Sequence, residues 1–310
     1  MGEAQLLRKR PSSPLARIER LWGWLLSLPF ALGLLFFSLG PISAALGLAF
    51  FHWDNLTPPK FVGLANWQRL WTDELFWKAL RNTFFYVAGS VPTGIVLSLA
   101  LAVVVNVRLP AIQVFRTLYF TPVVTSTVAV ALVWTWFYDS NYGILNYLIE
   151  QGGRLLGIPW LKPVAWLNDP RTAMPAIIAM SVWKGLGYNM VIFLAALQNV
   201  PRELYEAAAI DGANRFRQFI HVTLPGISPV MFFVLVTSLI GAFQVFDQVY
   251  IMARDGRPAN STLTIVYYLY NHAFRYLDMG YACTIGMALF VLIGAVTGIQ
   301  IVLQRRWVHT

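Results

Sequence analysis

Six stretches of this chain are long and apolar enough to cross a lipid bilayer, and almost nothing charged interrupts them. A membrane-spanning helix takes about 20 mostly apolar residues, and residues 24–50, 82–106, 116–138, 173–198, 229–253 and 279–303 all reach that length. Beyond Arg116 at the edge of the third, their only Asp, Glu, Lys or Arg are Lys184 in the fourth and Asp247 in the fifth. A soluble domain carries roughly a quarter charged residues, whereas this chain has 12% charged and 57% hydrophobic. The expectation is an all-α membrane protein with six transmembrane helices. It divides into a tail at 1–22, one bundle at 23–304 and a short tail at 305–310.

Pro29, Pro41, Pro92 and Pro122 lie inside these stretches. They would harm a soluble helix, but neighbouring helices in a membrane bundle re-satisfy the freed backbone groups. The basic N-terminus is followed by an apolar run from Leu21 to Phe51, longer than the roughly 7–15 residues of a cleaved signal core. An uncleaved first span is expected. The single cysteine, Cys283, excludes a disulfide framework or a multi-cysteine metal site and reads as a packing residue.

The net charge of +9 would suggest nucleic acid in a soluble chain, but here it follows the span ends, so no nucleic-acid partner is expected. With the N-terminus inside, Arg8, Lys9, Arg10, Arg17, Arg20, Arg108, Arg116, Arg202, Arg215, Arg217, Arg305 and Arg306 all fall on the inner side. The positive-inside rule then places both termini in the cytoplasm. Trp53, Trp67, Trp71, Trp77, Trp160 and Trp166 edge the outer loops, where an aromatic belt belongs.

Between the fourth and fifth spans the chain changes character. Residues 203–229 read "ELYEAAAIDGANRFRQFIHVTLPGISP". Leu204, Tyr205, Ala208 and Ala209 share a helix face by i, i+4 spacing, and Asp211-Gly212 breaks the run at the residue most tolerant of a reversal. Phe216, Phe219 and Ile220 form a second apolar stripe, with Pro225 and Pro229 expected to end that helix. Such a segment can lie on lipid headgroups. Three successive alanines beside Glu206 offer lipid little, however, and a small-residue face suits a protein groove.

"EAAAIDGANRFRQFIHVTLP" resembles the EAA loop of permease subunits from binding-protein-dependent ABC importers, and the likeness extends along nearly the whole chain. It is nearest the carbohydrate-uptake, maltose-type branch, through "FVGLANW", "LRNTFFYV", "FRTLYFTPVV", "LVWTWFYDSNYGILN", "VWKGLGYNM" and "FDQVYIMARDGRPANST". The last carries Asp-Gly-Arg-Pro where the family more often has Gly-Gly-Pro. The resemblance implies a type I ABC importer permease fold in the bacterial inner membrane, with residues 202–228 as cytoplasmic coupling helices. Glu206, Ala207, Ala208, Asp211, Gly212, Phe219, Leu224 and Pro225 would engage the ATP-hydrolysing subunit. Glu206 would meet a basic residue there, Gly212 would form the turn, and Ala207, Ala208 and Phe219 would fill the socket. It further implies a second permease subunit as heterodimer partner, two copies of an ATP-binding subunit and an extracytoplasmic solute-binding protein. No cofactor is expected. No G-x-x-x-x-G-K-[ST] occurs in the chain, so a P-loop for ATP is expected in a partner. The end at "QRRWVHT" lacks the tail that one permease of such pairs carries between the ATPases, and the chain is expected to be the other.

Polar groups inside a span are costly and mark candidate sites. Ser181, Lys184, Tyr188 and Asn189 in the fourth span, with Ser238, Gln244 and Asp247 in the fifth, are the candidates. Alignment on the EAA loop brings Ser181, Lys184, Gly185, Tyr188, Ser238 and Ala242 onto substrate-contacting positions of the maltose-type family, with the ring of Trp183 or Tyr188 to pack on a sugar. The same residues have other uses. Lys184 can pair with Asp247 or reach the interface, and Ser and Asn bind helices together. The run "GAVTG" at 294–298 reads as a small-residue packing face.

A secondary carrier would be expected to show internal repeats and ion-binding groups in broken spans, yet Asp247 is the only acid in a span. A membrane enzyme would need a ligand or catalytic cluster, and the four histidines are scattered. An importer of amino acids, polyamines or phosphate would share the EAA loop, while "VWKGLGYN" and "PANST" favour carbohydrate.

Overall fold

A computed structural model describes residues 14–107, 112–158 and 162–304. Residues 1–13 and 305–310, with Arg108 and Trp160 among the expectations above, lie outside the described residues. The chain opens with α1 (Pro14–Leu34), passes through a π-helical turn (Leu35–Leu39) and continues as α2 (Gly40–Leu48). The helix therefore begins well before residue 23, with proline in the position that suits a first turn. A hairpin of β1 (Phe51–His52) and β2 (Lys60–Phe61) and the short α3 (Ala65–Thr72) lead into α4 (Glu74–Val105), 32 residues long. Pro92 sits inside α4 without ending it.

The third span is not one straight helix. α5 (Ile112–Val124) and α6 (Thr127–Phe137) meet at 100°, so the described chain has five helices fit to cross a membrane, or six if this bent pair is one span. Pro122 removes one backbone donor. Thr117, Thr121 and Thr125 each donate a hydroxyl to the carbonyl four residues back, a pattern that bends helices. After α7 (Ile144–Leu156) comes α8 (Ala173–Asn199), the most buried of the spans. The link to the fifth span holds α9 (Arg202–Ile210), α10 (Arg215–Gln218), a π-helical turn (Phe219–Thr223) and α11 (Leu224–Gly226). Pro225 thus does not end the second helix of this link, because helical turns carry through it to Gly226.

The fifth span is also interrupted. α12 (Ser228–Phe243) stops, residues 244–246 leave the helical path, and α13 (Asp247–Met252) resumes. The hydroxyl of Thr264 donates to the freed carbonyl of Val245 at 3.2 Å, which supplies a partner that lipid would not. α14 (Ile265–Tyr270), a π-helical turn (Asn271–Arg275) and α15 (Met279–Gln304) complete the chain.

Hydrogen bonds gather the loops at one end of the bundle. Met279 N–H donates to the carbonyl of Trp53 at 2.9 Å, and Lys78 donates to that of Ala259 at 2.6 Å. Asp73 caps α4 by accepting from the N–H groups of Leu75 and Phe76, and it also accepts the hydroxyls of Tyr268 and Tyr281 at 2.5 and 2.6 Å. Burial works to raise this carboxyl, and those four hydrogen bonds outweigh it and hold it below its ordinary value. Of the tryptophans at this end, Trp71 and Trp77 are exposed as a belt requires, whereas Trp67 and Trp166 pack against the core.

Two helix contacts set the core. A Cβ on Gly89 of α4 would lie 2.8 Å from Cδ1 of Ile178 on α8. One on Gly187 of α8 would strike the carbonyl oxygen of Tyr119 and come within 2.9 Å of the Cα of Phe120 on α5. By contrast, although Val296 packs against the core, nothing among the described residues lies within 4 Å of a Cβ at Gly294 or Gly298, so these two glycines mark no close helix contact here. The α1–α2 span likewise has no buried residue in its apolar stretch. Gly187→Ala is expected to lower the unfolding free energy by about 1–3 kcal/mol through overpacking against backbone, and Gly294→Ala to leave it unchanged. Thermal unfolding of the purified protein in detergent measures both.

Candidate functional site

The segment at 202–228 is a fixed pair of short helices. Ala213 N–H donates to the carbonyl of Ala208 at 2.9 Å and Gly212 N–H to that of Ala209 at 3.0 Å. These two bonds make a Schellman cap with glycine at its left-handed position, and Gly212 has φ +77°. Asp211 is the residue before it and closes α9. Asn214 then starts α10 by accepting from Arg217 N–H at 2.9 Å, an N-cap of the favoured type. The hydroxyls of Tyr205 and Thr223 meet at 3.0 Å and tie α9 to the returning helix.

This frame presents a surface that the other described residues do not cover. Ile210 is 88% exposed, Phe216 70% and Leu204 50%. Glu206 and Ala207 are exposed beside them, and Glu206 enters none of the ion pairs among the described residues. Phe219 and Leu224 depart from expectation. Both pack, half-buried, onto the core formed by Val200, Ile227 and neighbouring residues, where they anchor the segment. Ala208 and Pro225 are half-buried. Ile210 lies outside the expected contact set, although a large apolar residue flanking an Asp-Gly break is a visible signal.

About 15 Å further into the bundle, by the rise of ten helical residues, α4, α8, α12 and α13 line an open cavity of about 240 Å³, each contributing polar side chains. Ser181, Gly185 and Asn189 line it at i, i+4, i+8 on α8, opposite Ser238 and Ala242 of α12. Four other candidates do not line it. Lys184 and Tyr188 flank the α8 stripe on its far side, Tyr188 half exposed. Gln244 falls in the break after α12, and Asp247 opens α13 exposed to the surroundings. Lys184 and Asp247 form no ion pair with one another. Trp183 faces away, 5.4 Å from the ring of Trp134.

The interrupted fifth span brings in residues that a continuous helix hid. Gln248 Nε2 donates to the hydroxyl of Tyr86 at 3.0 Å and to that of Ser181 at 3.3 Å, while Ser181 donates to the carbonyl of Ile177 and Ser90 to that of Tyr86. Tyr86, Ser90 and Gly94 form the α4 wall. Their spacing is an i, i+4, i+8 stripe of small or polar residues in an apolar span, the signal that could have found them. The cavity thus offers hydroxyls and amides with no fixed charge on its wall. Among the described residues no group of His, Cys, Asp and Glu could hold a metal ion.

Residues 25–309 match the family described as the binding-protein-dependent transport system inner membrane component. The chain belongs to that family. It is 37% identical to the probable ABC transporter permease protein YesP of Bacillus subtilis, over 94% of this chain and 93% of the relative. It is 36% identical to the lactose transport system permease protein LacF of Rhizobium radiobacter, over 94% and 97%. Its fold matches that of a bacterial alginate ABC transporter crystallised with an alginate pentasaccharide-bound periplasmic protein (TM-score 0.80, 24% identity, 94% of this chain and 97% of that one). The fold is therefore that of a type I ABC importer permease, and the bent third span and interrupted fifth belong to a permease. In this permease Gln248→Ala removes the amide's hydrogen bonds to the Tyr86 and Ser181 hydroxyls. It is expected to cost about 1–3 kcal/mol, against less than about 0.5 kcal/mol for the exposed Gln244→Ala. Chemical unfolding followed by tryptophan fluorescence separates the two.

Proposed function

We propose that this chain forms half of the translocation pathway of an ATP-driven importer for a sugar or oligosaccharide. It acts with a second permease subunit, two ATP-hydrolysing subunits and an extracytoplasmic solute-binding protein. The observation that carries this reading is the pairing of two features on the same helices, a rigid uncovered face at 202–228 and an uncharged polar cavity between α8 and α12. The first suits a groove on an ATPase subunit, with Ile210 and Phe216 as apolar contacts and Glu206 as the anionic one. The second suits a ligand rich in hydroxyl groups, which hydroxyls and amides bind without a formal charge. The lactose permease among the relatives supports a carbohydrate substrate. The uncovered α1–α2 span supports a second permease subunit beside this one. Both termini and residues 202–228 are cytoplasmic in this arrangement.

On closure of the ATPase pair, the coupling segment moves and the cavity walls rock between inward- and outward-facing states. Ser181, Asn189 and Ser238 are proposed as substrate contacts from this half. Removing one partner of a desolvated ion pair costs about 2–5 kcal/mol, so Glu206→Ala is expected to abolish solute-stimulated ATP hydrolysis. Gly212→Ala should impair it as well. A Cβ there meets no atom within 4 Å, but the φ of +77° remains, at a cost of about 1–2 kcal/mol. A reconstituted importer that keeps wild-type stimulation and a full complement of ATPase subunit in both variants would reduce 202–228 to a surface helix.

The carbohydrate reading has its own test. Ser238→Ala and Asn189→Ala should raise the transport KM by about fivefold or more, through loss of a hydrogen bond worth about 1 kcal/mol, with basal ATP hydrolysis intact. Unchanged uptake kinetics in both would remove them from the pathway.

A further inference from the structure

A second polar cavity, of about 550 Å³, lies where the coupling segment joins the bundle. Asn106 at the end of α4, Arg116 of α5, Gln198 near the end of α8, and Arg202 and Tyr205 of α9 contribute its polar lining. Four elements therefore meet around it, at the level where the apolar helices give way to polar sequence and where headgroups of a bilayer would lie.

Its charge is one-sided. Two guanidinium groups border the cavity, and neither Arg116 nor Arg202 takes part in an ion pair among the described residues. Arg116 spends one donor, Nη2, on the carbonyl of Val105 at 2.9 Å, where it closes the end of α4. Its Nε is buried with no hydrogen-bond partner among the described residues. Arg202 is the first residue of α9, so its cation stands at the positive end of a helix dipole, the less favourable end for it. Glu203 beside it is exposed and joins no ion pair either. Cations clustered without a carboxylate repel one another, and an anion between them relieves that cost. Guanidinium forks match the paired oxygens of a phosphate group. The uncharged donors of Asn106 and Gln198 add hydrogen bonds without adding charge.

We propose that this cavity binds a phosphate group, with Arg116 and Arg202 as its cationic ligands. The phosphate belongs either to an anionic phospholipid headgroup or to free phosphate. The site lies beside α9 and holds the ends of α4, α5 and α8 together, so its occupancy tightens the joint between the coupling segment and the bundle. This inference is independent of the substrate carried.

The test is native mass spectrometry of the importer purified as its full assembly, titrated separately with phosphatidylglycerol, phosphatidylcholine and inorganic phosphate. Wild type should bind phosphatidylglycerol at least about tenfold more tightly than Arg202→Gln, the loss expected for a charge-assisted hydrogen bond. The preference over phosphatidylcholine should vanish in the Arg116→Gln, Arg202→Gln double variant. If inorganic phosphate shows the same dependence on the arginines and displaces the lipid, the bound species is free phosphate. If it does neither, the species is the lipid. Arg116 also closes α4, so Arg202→Gln alone carries the test should the Arg116 variant fail to fold. Binding of both phosphate sources unchanged by Arg202→Gln overturns the proposal. So does loss of the ATPase subunit from that variant with lipid and phosphate binding intact, which would make the cavity a protein contact.

Discussion

The approach of α8 to its neighbours at glycine is the contact on which the rest of the bundle depends. In lipid there is no hydrophobic gain from bringing helices together, so association rests on close packing and interhelical hydrogen bonds. At Gly187 the backbone of α8 lies against that of α5 with no room for a Cβ, and at Gly89 α4 admits the side chain of Ile178. Ser98 of α4 adds a hydroxyl bond to the carbonyl of Leu186 at 3.2 Å. With α4, α5 and α8 fixed in this way, α12 and α13 close the cavity. The buried face of α8, from Met174 through Ile177, Met180, Met190 and Phe193, is the spine around which they pack.

The apolar spans were legible in sequence because the bilayer imposes one length and one composition on any crossing helix. The bend in the third and the gap in the fifth were not, since hydropathy is blind to how a backbone group finds its partner. Thr117, Thr121 and Thr125 read as ordinary small residues in an apolar run, yet their hydroxyls compete for the carbonyls that keep α5 straight. Val245 could leave the helix only because Thr264, nearly twenty residues later, supplies a donor. That is a tertiary fact with no local trace. The same gap explains the mixed fate of the candidate site. Ser181, Gly185 and Asn189 follow helical spacing on an unbroken helix and share the cavity. Gln244 and Asp247 were judged as parts of a continuous helix and lie outside it, while Gln248, one residue on, takes the inward place.

The segment at 202–228 shows a different division between sequence and structure. Its break at Asp211-Gly212 is local chemistry, and the Schellman cap realises it in the way the residues suggest. The directions of its aromatic side chains are not local. Helical spacing places Phe216 and Phe219 as near neighbours on one stripe, but only Phe219 lies on the side turned to the bundle. One faces outward and the other anchors the segment to Val200 and Ile227. An exposed Phe216 and Ile210 on a frame held by caps and the Tyr205–Thr223 bond would cost a free monomer solubility. Such a surface is stable in use when a partner covers it.

The placement of this segment gives the proposed coupling a mechanical form. α8 ends at Asn199 and α12 begins at Ser228, so the two helices that enter and leave the segment are also two walls of the polar cavity. Asn189 and Ser238 each lie ten residues from those ends, about 15 Å along a helix. A displacement of 202–228 is therefore delivered to both walls at equal depth, with Phe219 and Leu224 seated on the core to carry it. The α4 wall is locked to α8 at Gly89 and Ser98, and it is also tied to the opposite end of the bundle. Tyr86 reaches Gln248 across the interruption in the fifth span, and the start of α4 is fixed through Asp73 to Tyr268 and Tyr281 at the far end of the bundle. In the proposed coupling, the gap at 244–246 is where the helical hydrogen bonds of the fifth span are already interrupted, so bending there costs the fewest of them.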